Sequence, residues 1–289
     1  MTTAAQWLEG ARPRTLPAAI SPVLVGTGAA AALDQFRPVR ALLALLVALA
    51  LQVGVNYAND YSDGIRGTDA VRVGPLRLVG SGTTKPSQVK AAAFAALAVA
   101  AVAGVVLALL TTLWLLLVGA VAIAAAWGYT GGKNPYGYRG FGEISVFVFF
   151  GLVAVIGTTY VQVERLTWLA LAGGIASGSL ACAILVTNNV RDIPTDTGSG
   201  KTTLAVRLGD ARSRILYEGL VAAPFVLAVA VSPWHPGALL ALLALPVAVA
   251  PLTLIHAGAV GRELIAVLQA TGKLQLAYGA LLATGLAIS

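Results

Sequence analysis

Long apolar runs dominate this sequence, and its few charged residues lie almost entirely between them. The run ALLALLVALALQVGV at 41–55 contains no charged side chain, and several similar runs follow it. Only 11% of the 289 residues are charged and 58% are hydrophobic, whereas soluble domains carry roughly 25% charged residues. So few charges cannot cover a water-facing surface of this size. The sequence therefore predicts an integral membrane protein.

The apolar runs favour an all-α fold, because they are unbroken and rich in Ala and Leu, whereas the strands of a membrane β-barrel alternate apolar and polar residues. A hydrocarbon core about 30 Å thick needs roughly 20 apolar residues per helix. Pro17 and Pro22 interrupt the first run, and membrane helices tolerate such breaks where neighbours satisfy the freed carbonyls. The nine predicted spans are residues 15–33, 41–58, 91–111, 113–130, 144–162, 167–188, 213–232, 237–256 and 270–288.

The distribution of basic residues predicts the orientation. With the N-terminus inside, sixteen of the 19 Lys and Arg residues face the cytoplasm, and only Arg37, Arg40 and Arg165 lie outside. This bias follows the positive-inside rule. It predicts a multi-pass protein of the cell membrane with a cytoplasmic N-terminus, cytoplasmic functional loops and an external C-terminus. Basic residues at this face also contact membrane lipid.

Two acidic clusters follow predicted spans two and six, on this cytoplasmic face. An isolated Asp at the end of a span is more often a cap or a turn former than a ligand, but five acids in two clusters favour a metal site. Carboxylate and amide oxygens, without histidine or thiolate, suit Mg²⁺. The clusters contain Asn59, Asp60, Asp63 and Asp69, and then Asp192 and Asp196, with Asn56, Asn188 and Asn189 as neighbouring candidates for substrate binding.

The four-span separation of the clusters indicates a duplicated unit within a single domain of residues 1–289. We expect the pseudo-repeat to cover about 12–142 and 143–260. Long connections lie on the cytoplasmic face alone, and functional residues concentrate in such loops.

Cations share these loops with the acids. A divalent metal surrounded by Lys and Arg is what a diphosphate leaving group requires, because both neutralise charge as the C–O bond breaks. Together with the apolar spans, this combination of metal ligands and cations predicts a substrate with a polyanionic head and a long apolar tail. Each cation is about equally well explained as a topology determinant. The candidates are Arg72, Arg77, Lys133, Arg139, Lys201 and Arg207.

The segment GSGKTT at 198–203 partly matches the sequence pattern of a nucleotide-binding loop. The pattern G-x-x-x-x-G-K-[ST] requires glycine where this chain has Thr195, and it requires a preceding strand where a membrane span is predicted. We therefore exclude a nucleotide-binding loop and expect no nucleic-acid partner.

Over nearly its whole length the chain resembles the UbiA superfamily of intramembrane prenyltransferases. The first motif of that superfamily is N-x-x-x-D-x-x-x-D, and Asn59 and Asp63 match its first two positions. Gly67 stands at the third position, and the nearest acid is Asp69. The second motif, D-x-x-x-D, is met at 192–196.

Further stretches resemble the 1,4-dihydroxy-2-naphthoate prenyltransferase branch. They are ARPRTLPAAISPVLVGT at 11–27, GPLRLVGSG at 74–82 and YTGGKNPYGYRGFGE at 129–143. Tyr129 and Lys133 also match the Y-x-x-x-K element that the superfamily places near the diphosphate.

The resemblance implies nine transmembrane helices around a central cavity, with the two Asp-rich motifs on cytoplasmic loops. It implies Mg²⁺-dependent transfer of a long-chain polyprenyl group from its diphosphate to 1,4-dihydroxy-2-naphthoate, with loss of CO₂, giving demethylmenaquinone. An arginine such as Arg14 or Arg72 would receive the carboxylate of the acceptor. The implied metal ligands are Asn59, Asp63, Asp192 and Asp196, with Asp60 or Asp69 assisting, and the implied diphosphate contacts are Arg72, Arg77, Tyr129, Lys133, Arg139 and Lys201.

Two alternatives remain open on the sequence. A sister enzyme would use another aromatic acceptor, such as 4-hydroxybenzoate or homogentisate. A cation-coupled transporter would use the acids as ion sites, although such sites lie near the bilayer midplane and these acids lie at span ends. The sequence does not indicate an oligomeric state.

Overall fold

The computed structural model describes residues 2–67 and 76–289, and within these ranges all regular secondary structure is helical. Short helices at Ala4–Gly10, Pro13–Thr15, Tyr136–Arg139 and Leu204–Leu208 connect longer ones. The longer helices are α1 Pro17–Ala31, α2 Pro38–Arg66, α3 Pro86–Leu110, α4 Leu115–Gly128, α5 Gly142–Val163, α6 Trp168–Gly198, α7 Asp210–Val231, α8 Pro236–His256 and α9 Glu263–Ala287.

Six of the described helices, α2, α3 and α5 to α8, are long and apolar enough to cross a membrane. Helices α1 and α4 are apolar but shorter. The protein is therefore a multi-pass membrane protein with an all-helical fold. The count of nine spans, the pseudo-repeat and the orientation stay predictions.

The acidic clusters lie on helices, so the expectation of Asp-rich loops is wrong for the described residues. Helix α2 continues three residues beyond Asp63 and ends at Gly67, whose φ of 73° is the left-handed conformation that favours glycine at a helix end. Helix α6 continues through Pro194 and Asp196 to Gly198. Asp60 and Asp63 bind groups outside α2, so they do not compete for the backbone of their own helix. Asp69 lies outside the described residues, and its role stays a prediction.

Small residues let the helices approach closely. Helix α1 packs on α9, where a Cβ on Gly28 would lie 2.5 Å from the Cα of Ala283. Helix α5 contains a π-helical segment, Phe147–Val153, which places Gly151 against Gly178 of α6. Such approach strengthens van der Waals packing between membrane helices, where lipid provides no hydrophobic drive for association.

Charges at the opposite end of the bundle neutralise one another. Arg40 donates to Glu164 at 2.6 Å and to the carbonyl of Val161 at 2.8 Å, and Arg37 lies 3.1 Å from the same carboxylate. The hydrogen bond from Arg40 lowers the pKa of Glu164, with the charge of both arginines adding to it. Two of the three basic residues predicted to face outward therefore meet in one ion-pair cluster.

Candidate active site

A cavity of about 810 Å³ lies among the helices and contains both acidic clusters in its wall. Its lining runs along α2 from Ala44 to Asp63, a helical rise of roughly 28 Å. Away from the acids the wall is apolar, with Val23, Leu107 and Val161 among its residues. The cavity is therefore long, with a polar end where α2 and α6 end and an apolar wall along the rest of its length.

Asp63 is the centre of the first cluster. Its Oδ1 accepts a hydrogen bond from the hydroxyl of Tyr138 and lies 3.7 Å from Nζ of Lys201, and its Oδ2 lies 4.0 Å from Nη2 of Arg77. The side chain is only 6% exposed. Asp63 therefore lies among a hydroxyl donor and two cations, where a metal could bind it together with phosphate oxygens.

Lys201 joins the two clusters. Its Nζ lies 3.7 Å from Asp63, 4.0 Å from Asp196 and 4.2 Å from the ring centroid of Tyr138. The two carboxylates therefore cannot be farther apart than the sum of their distances to this ammonium. The structure thus brings together the two motifs that the sequence separates by more than a hundred residues.

Asp192 is held by a neighbouring arginine. Nε and Nη2 of Arg191 donate to its two carboxylate oxygens at 2.7 and 2.8 Å, and Nη2 also donates to Oδ1 of Asn188 at 2.7 Å. The Arg191 side chain is 4% exposed. A bidentate buried pair of this kind fixes the orientation of the carboxylate.

Asp60 is turned away from the cavity. It is fully buried, and its two oxygens accept hydrogen bonds from the backbone amides of Leu78 and Val79 at 2.8 and 2.9 Å. It stands one position after Asn59, which rotates it roughly 100° around the helix. The structure therefore does not place Asp60 with the cavity-lining carboxylates; it ties the 76–79 segment, including Arg77, to α2.

The predicted amides line the cavity, but each is engaged with protein. Asn59 accepts from the Thr130 hydroxyl at 2.7 Å, and Asn189 donates to Glu143 at 2.8 Å. Asn56 donates to the carbonyl of Ala11 at 2.8 Å. Asn188 accepts from Arg191, as described above.

The predicted cations divide into two groups. Arg14, Arg77 and Lys201 line the cavity together with Tyr129, although Arg14 is largely exposed. The other described candidates point to the surface and do not line it, and Arg72 lies outside the described residues. The surface residues are Lys133, Arg139 and Arg207.

Sequence reasoning missed three cavity residues, Arg12, Tyr138 and Arg191. Tyr138 lies in the YTGGKNPYGYRG stretch and Arg191 precedes Asp192 directly, so proximity to a recognised motif was the available signal. Arg12 lies two positions from the predicted Arg14, and only the conformation of the turn distinguishes them.

The donor set fits Mg²⁺. Carboxylate and amide oxygens are the hard ligands that Mg²⁺ takes, and it usually completes its shell with water and substrate phosphate. In the described part of the chain no three acidic, His or Cys side chains form a ready-made metal cage. The arrangement therefore suits metal bound together with a phosphate rather than alone. The four predicted metal ligands all line the cavity: Asn59, Asp63, Asp192 and Asp196.

Comparison with known proteins gives concordant matches. Residues 19–277 match the UbiA prenyltransferase family. A Mycobacterium tuberculosis protein named 1,4-dihydroxy-2-naphthoate octaprenyltransferase is 56% identical over 99% of this chain and 98% of its own length. The apo structure of a UbiA homolog from Aeropyrum pernix K1 covers 94% of this chain and 97% of its own, with TM-score 0.70 and 18% identity. A UbiA homolog from Archaeoglobus fulgidus bound to DMAPP and Mg²⁺ covers 96% and 98%, with TM-score 0.66 and 17% identity.

Proposed function

The chain belongs to the UbiA prenyltransferase family, and on that premise we propose that it transfers a long-chain prenyl group from prenyl diphosphate to 1,4-dihydroxy-2-naphthoate. The transfer proceeds with loss of CO₂ and gives the quinol form of demethylmenaquinone, in menaquinone biosynthesis. The observation that carries the proposal is the juxtaposition of Asp63, Asp196 and Lys201 at the polar end of a long apolar cavity. The relative that is 56% identical is named for this acceptor.

The polar end suits a diphosphate. Arg77 and Lys201 are 10% and 13% exposed at their side chains, so their charges act in a medium poor in water. Interactions with developing charge are strongest in such sites. These two side chains bind the leaving diphosphate, and Tyr138 holds Asp63 in place beside them.

Mg²⁺ would be held by Asn59, Asp63, Asp192 and Asp196, and when bound it neutralises the diphosphate as the C–O bond breaks. Arg191 orients the Asp192 carboxylate, whose remaining lone pairs would bind the metal. Helices α2 and α6 carry the four residues and fix their spacing.

The apolar length of the cavity binds the prenyl tail. Residues such as Val23, Leu107 and Val161 line the end of the cavity far from the acids, where they contact the distal part of the tail. The diphosphate leaves with the C–O electron pair, the prenyl carbon bonds to the ring carbon that bears the carboxylate, and that carboxylate departs as CO₂. Its electrons return to the ring, so the product of this step is the naphthoquinol, and oxidation to demethylmenaquinone is a separate two-electron reaction.

The positions of these residues also support the proposed orientation. The diphosphate end contains Arg77, Arg191 and Lys201, and cations of this kind mark the cytoplasmic side. We place the active site at the cytoplasmic face of the cell membrane, with the cluster of Arg37, Arg40 and Glu164 outside.

An acceptor panel tests the proposal. Purified protein in detergent is given geranylgeranyl diphosphate and Mg²⁺ with 1,4-dihydroxy-2-naphthoate, 4-hydroxybenzoate or homogentisate, and the products are identified by mass spectrometry. We expect a prenylated naphthoquinol, detected as such or as the quinone that it forms in air, from the first acceptor alone, and none after EDTA treatment. Prenylation of either other acid in preference to the naphthoate would overturn the assignment of the acceptor.

A further inference from the structure

Arg12 has an unusual backbone conformation at the wall of the cavity. Its φ is 55° and its ψ 69°, the left-handed region, and it directly precedes the short helix Pro13–Thr15. A residue with a Cβ adopts this conformation at an energetic penalty and persists in it only where the surroundings enforce it.

Buried amides of α2 enforce this turn. Asn56 donates to the carbonyl of Ala11 at 2.8 Å and to the Thr15 hydroxyl at 2.9 Å, and Gln52 donates to the same hydroxyl at 3.0 Å. The Thr15 hydroxyl in turn donates to the carbonyl of Arg12 at 2.9 Å. Asn56 and Gln52 are 3% and 6% exposed. The turn is therefore clamped on both sides of Arg12, which fixes its backbone and the direction of its Cα–Cβ bond.

The side chain carries an unmatched buried donor. Arg12 lines the cavity, and its Nη2 is buried without a hydrogen-bond partner among the described residues. A buried guanidinium nitrogen without an acceptor is strongly unfavourable. Arg14 lines the same cavity but is exposed and has ordinary helical backbone. A bound anion would therefore supply the hydrogen-bond acceptor that Nη2 of Arg12 lacks among the described residues.

The position of the turn indicates which anion. Asn56, which holds the turn by its hydrogen bonds to Ala11 and Thr15, lies roughly 10 Å along α2 from Asp63, toward the apolar part of the cavity. Arg77 and Lys201 are already next to Asp63. A planar carboxylate matches the donor fork of a guanidinium. We infer that Arg12 binds the carboxylate of the aromatic acceptor and so orients the ring; this rests on the proposed function for the identity of the acceptor.

Two non-reacting ligands test the inference by binding alone. 1-Hydroxy-2-naphthoate retains the carboxylate, 1-naphthol lacks it, and both report binding through their own fluorescence. The variant is Arg12→Gly, because glycine adopts the left-handed turn without strain and the fold is retained. Arg14→Ala tests the neighbouring arginine, which also lines the cavity.

We expect Arg12→Gly to weaken binding of 1-hydroxy-2-naphthoate by roughly tenfold to a hundredfold, the usual range for loss of a charged hydrogen bond. Binding of 1-naphthol should stay within twofold of the wild type, by the same reasoning. Arg12→Lys should recover part of the affinity, and Arg14→Ala should change neither ligand by as much. Equal weakening of both ligands, or no change in either, would overturn the inference.

The outcome is separable from that of the acceptor panel. If the wild type binds the carboxylate ligand through Arg12 but forms no prenylated naphthoquinone, the carboxylate site stands and the assigned acceptor is wrong. If the wild type forms the product and Arg12→Gly binds both ligands normally, the proposed function stands and the carboxylate site is wrong.

Discussion

Replacing Asp60 by alanine should loosen the segment that carries Arg77. The Asp60 carboxylate accepts from the amides of Leu78 and Val79 at 2.8 and 2.9 Å and is fully buried. A buried donor left without an acceptor costs about 1–3 kcal/mol, so the loss of two acceptors costs about 2–6 kcal/mol of local stability. Asp60→Asn keeps one acceptor and should lose about half of that.

The assay combines hydrogen exchange over 76–84 with the kinetics of prenyl diphosphate. Exchange at Leu78 and Val79 should accelerate in Asp60→Ala, and the KM for prenyl diphosphate should rise because Arg77 is no longer held beside Asp63. The Mg²⁺ concentration that gives half-maximal activity should stay unchanged, since Asp60 does not line the cavity.

Glu9→Ala is the matched control. Glu9 accepts from the backbone amide of Leu76 at 3.2 Å in an exposed position, so its removal should accelerate exchange far less. Unchanged exchange in Asp60→Ala, together with a raised Mg²⁺ requirement, would refute the positioning role and return Asp60 to the metal ligands.

Three further variants test the packing and electrostatics of the site. Tyr138→Phe keeps the ring under the lysine but loses the hydrogen bond to Asp63, and should lower kcat/KM roughly tenfold with little change in thermal stability; an unchanged rate would contradict this. Arg191→Ala leaves the adjoining carboxylate buried without its cation, so the thermal midpoint should fall and added Mg²⁺ should restore more of it than in the wild type; no metal effect would count against the proposed ligand. Gly28→Ala should cost about 1–3 kcal/mol in thermal unfolding because its Cβ would meet the backbone of Ala283 at 2.5 Å, whereas Gly219→Ala, with open space around its Cβ, should not destabilise.

Sequence patterns located the helices well, because an apolar run of sufficient length leaves the chain few other structures in a membrane. Asn59 and Asp63 are four residues apart, which places both on one side of a helix, and both line the cavity. Asp60 follows Asn59 directly and therefore lies about 100° around the helix from that side. Its proximity in sequence to Asn59 and Asp63 led to its being grouped with them.

The sequence does not distinguish the cations that line the cavity from those at the surface. Lys201 reaches both acidic clusters, whereas Lys133 and Arg139 are exposed, and all three lie in polar connections of similar composition. Tertiary contacts decide which of them turns inward. Arg12 and Arg14 differ in the same way, because the clamp from Asn56 selects one of two neighbouring arginines.

The most direct test of the account is coupled loss of CO₂ from the acceptor. Purified protein is given carboxyl-labelled 1,4-dihydroxy-2-naphthoate and geranylgeranyl diphosphate, and release of labelled CO₂ is followed with Mg²⁺ and with EDTA. The account predicts release that needs both the prenyl donor and Mg²⁺ and that disappears in Asp63→Ala. Release without the prenyl donor, or undiminished release from Asp63→Ala, would contradict it.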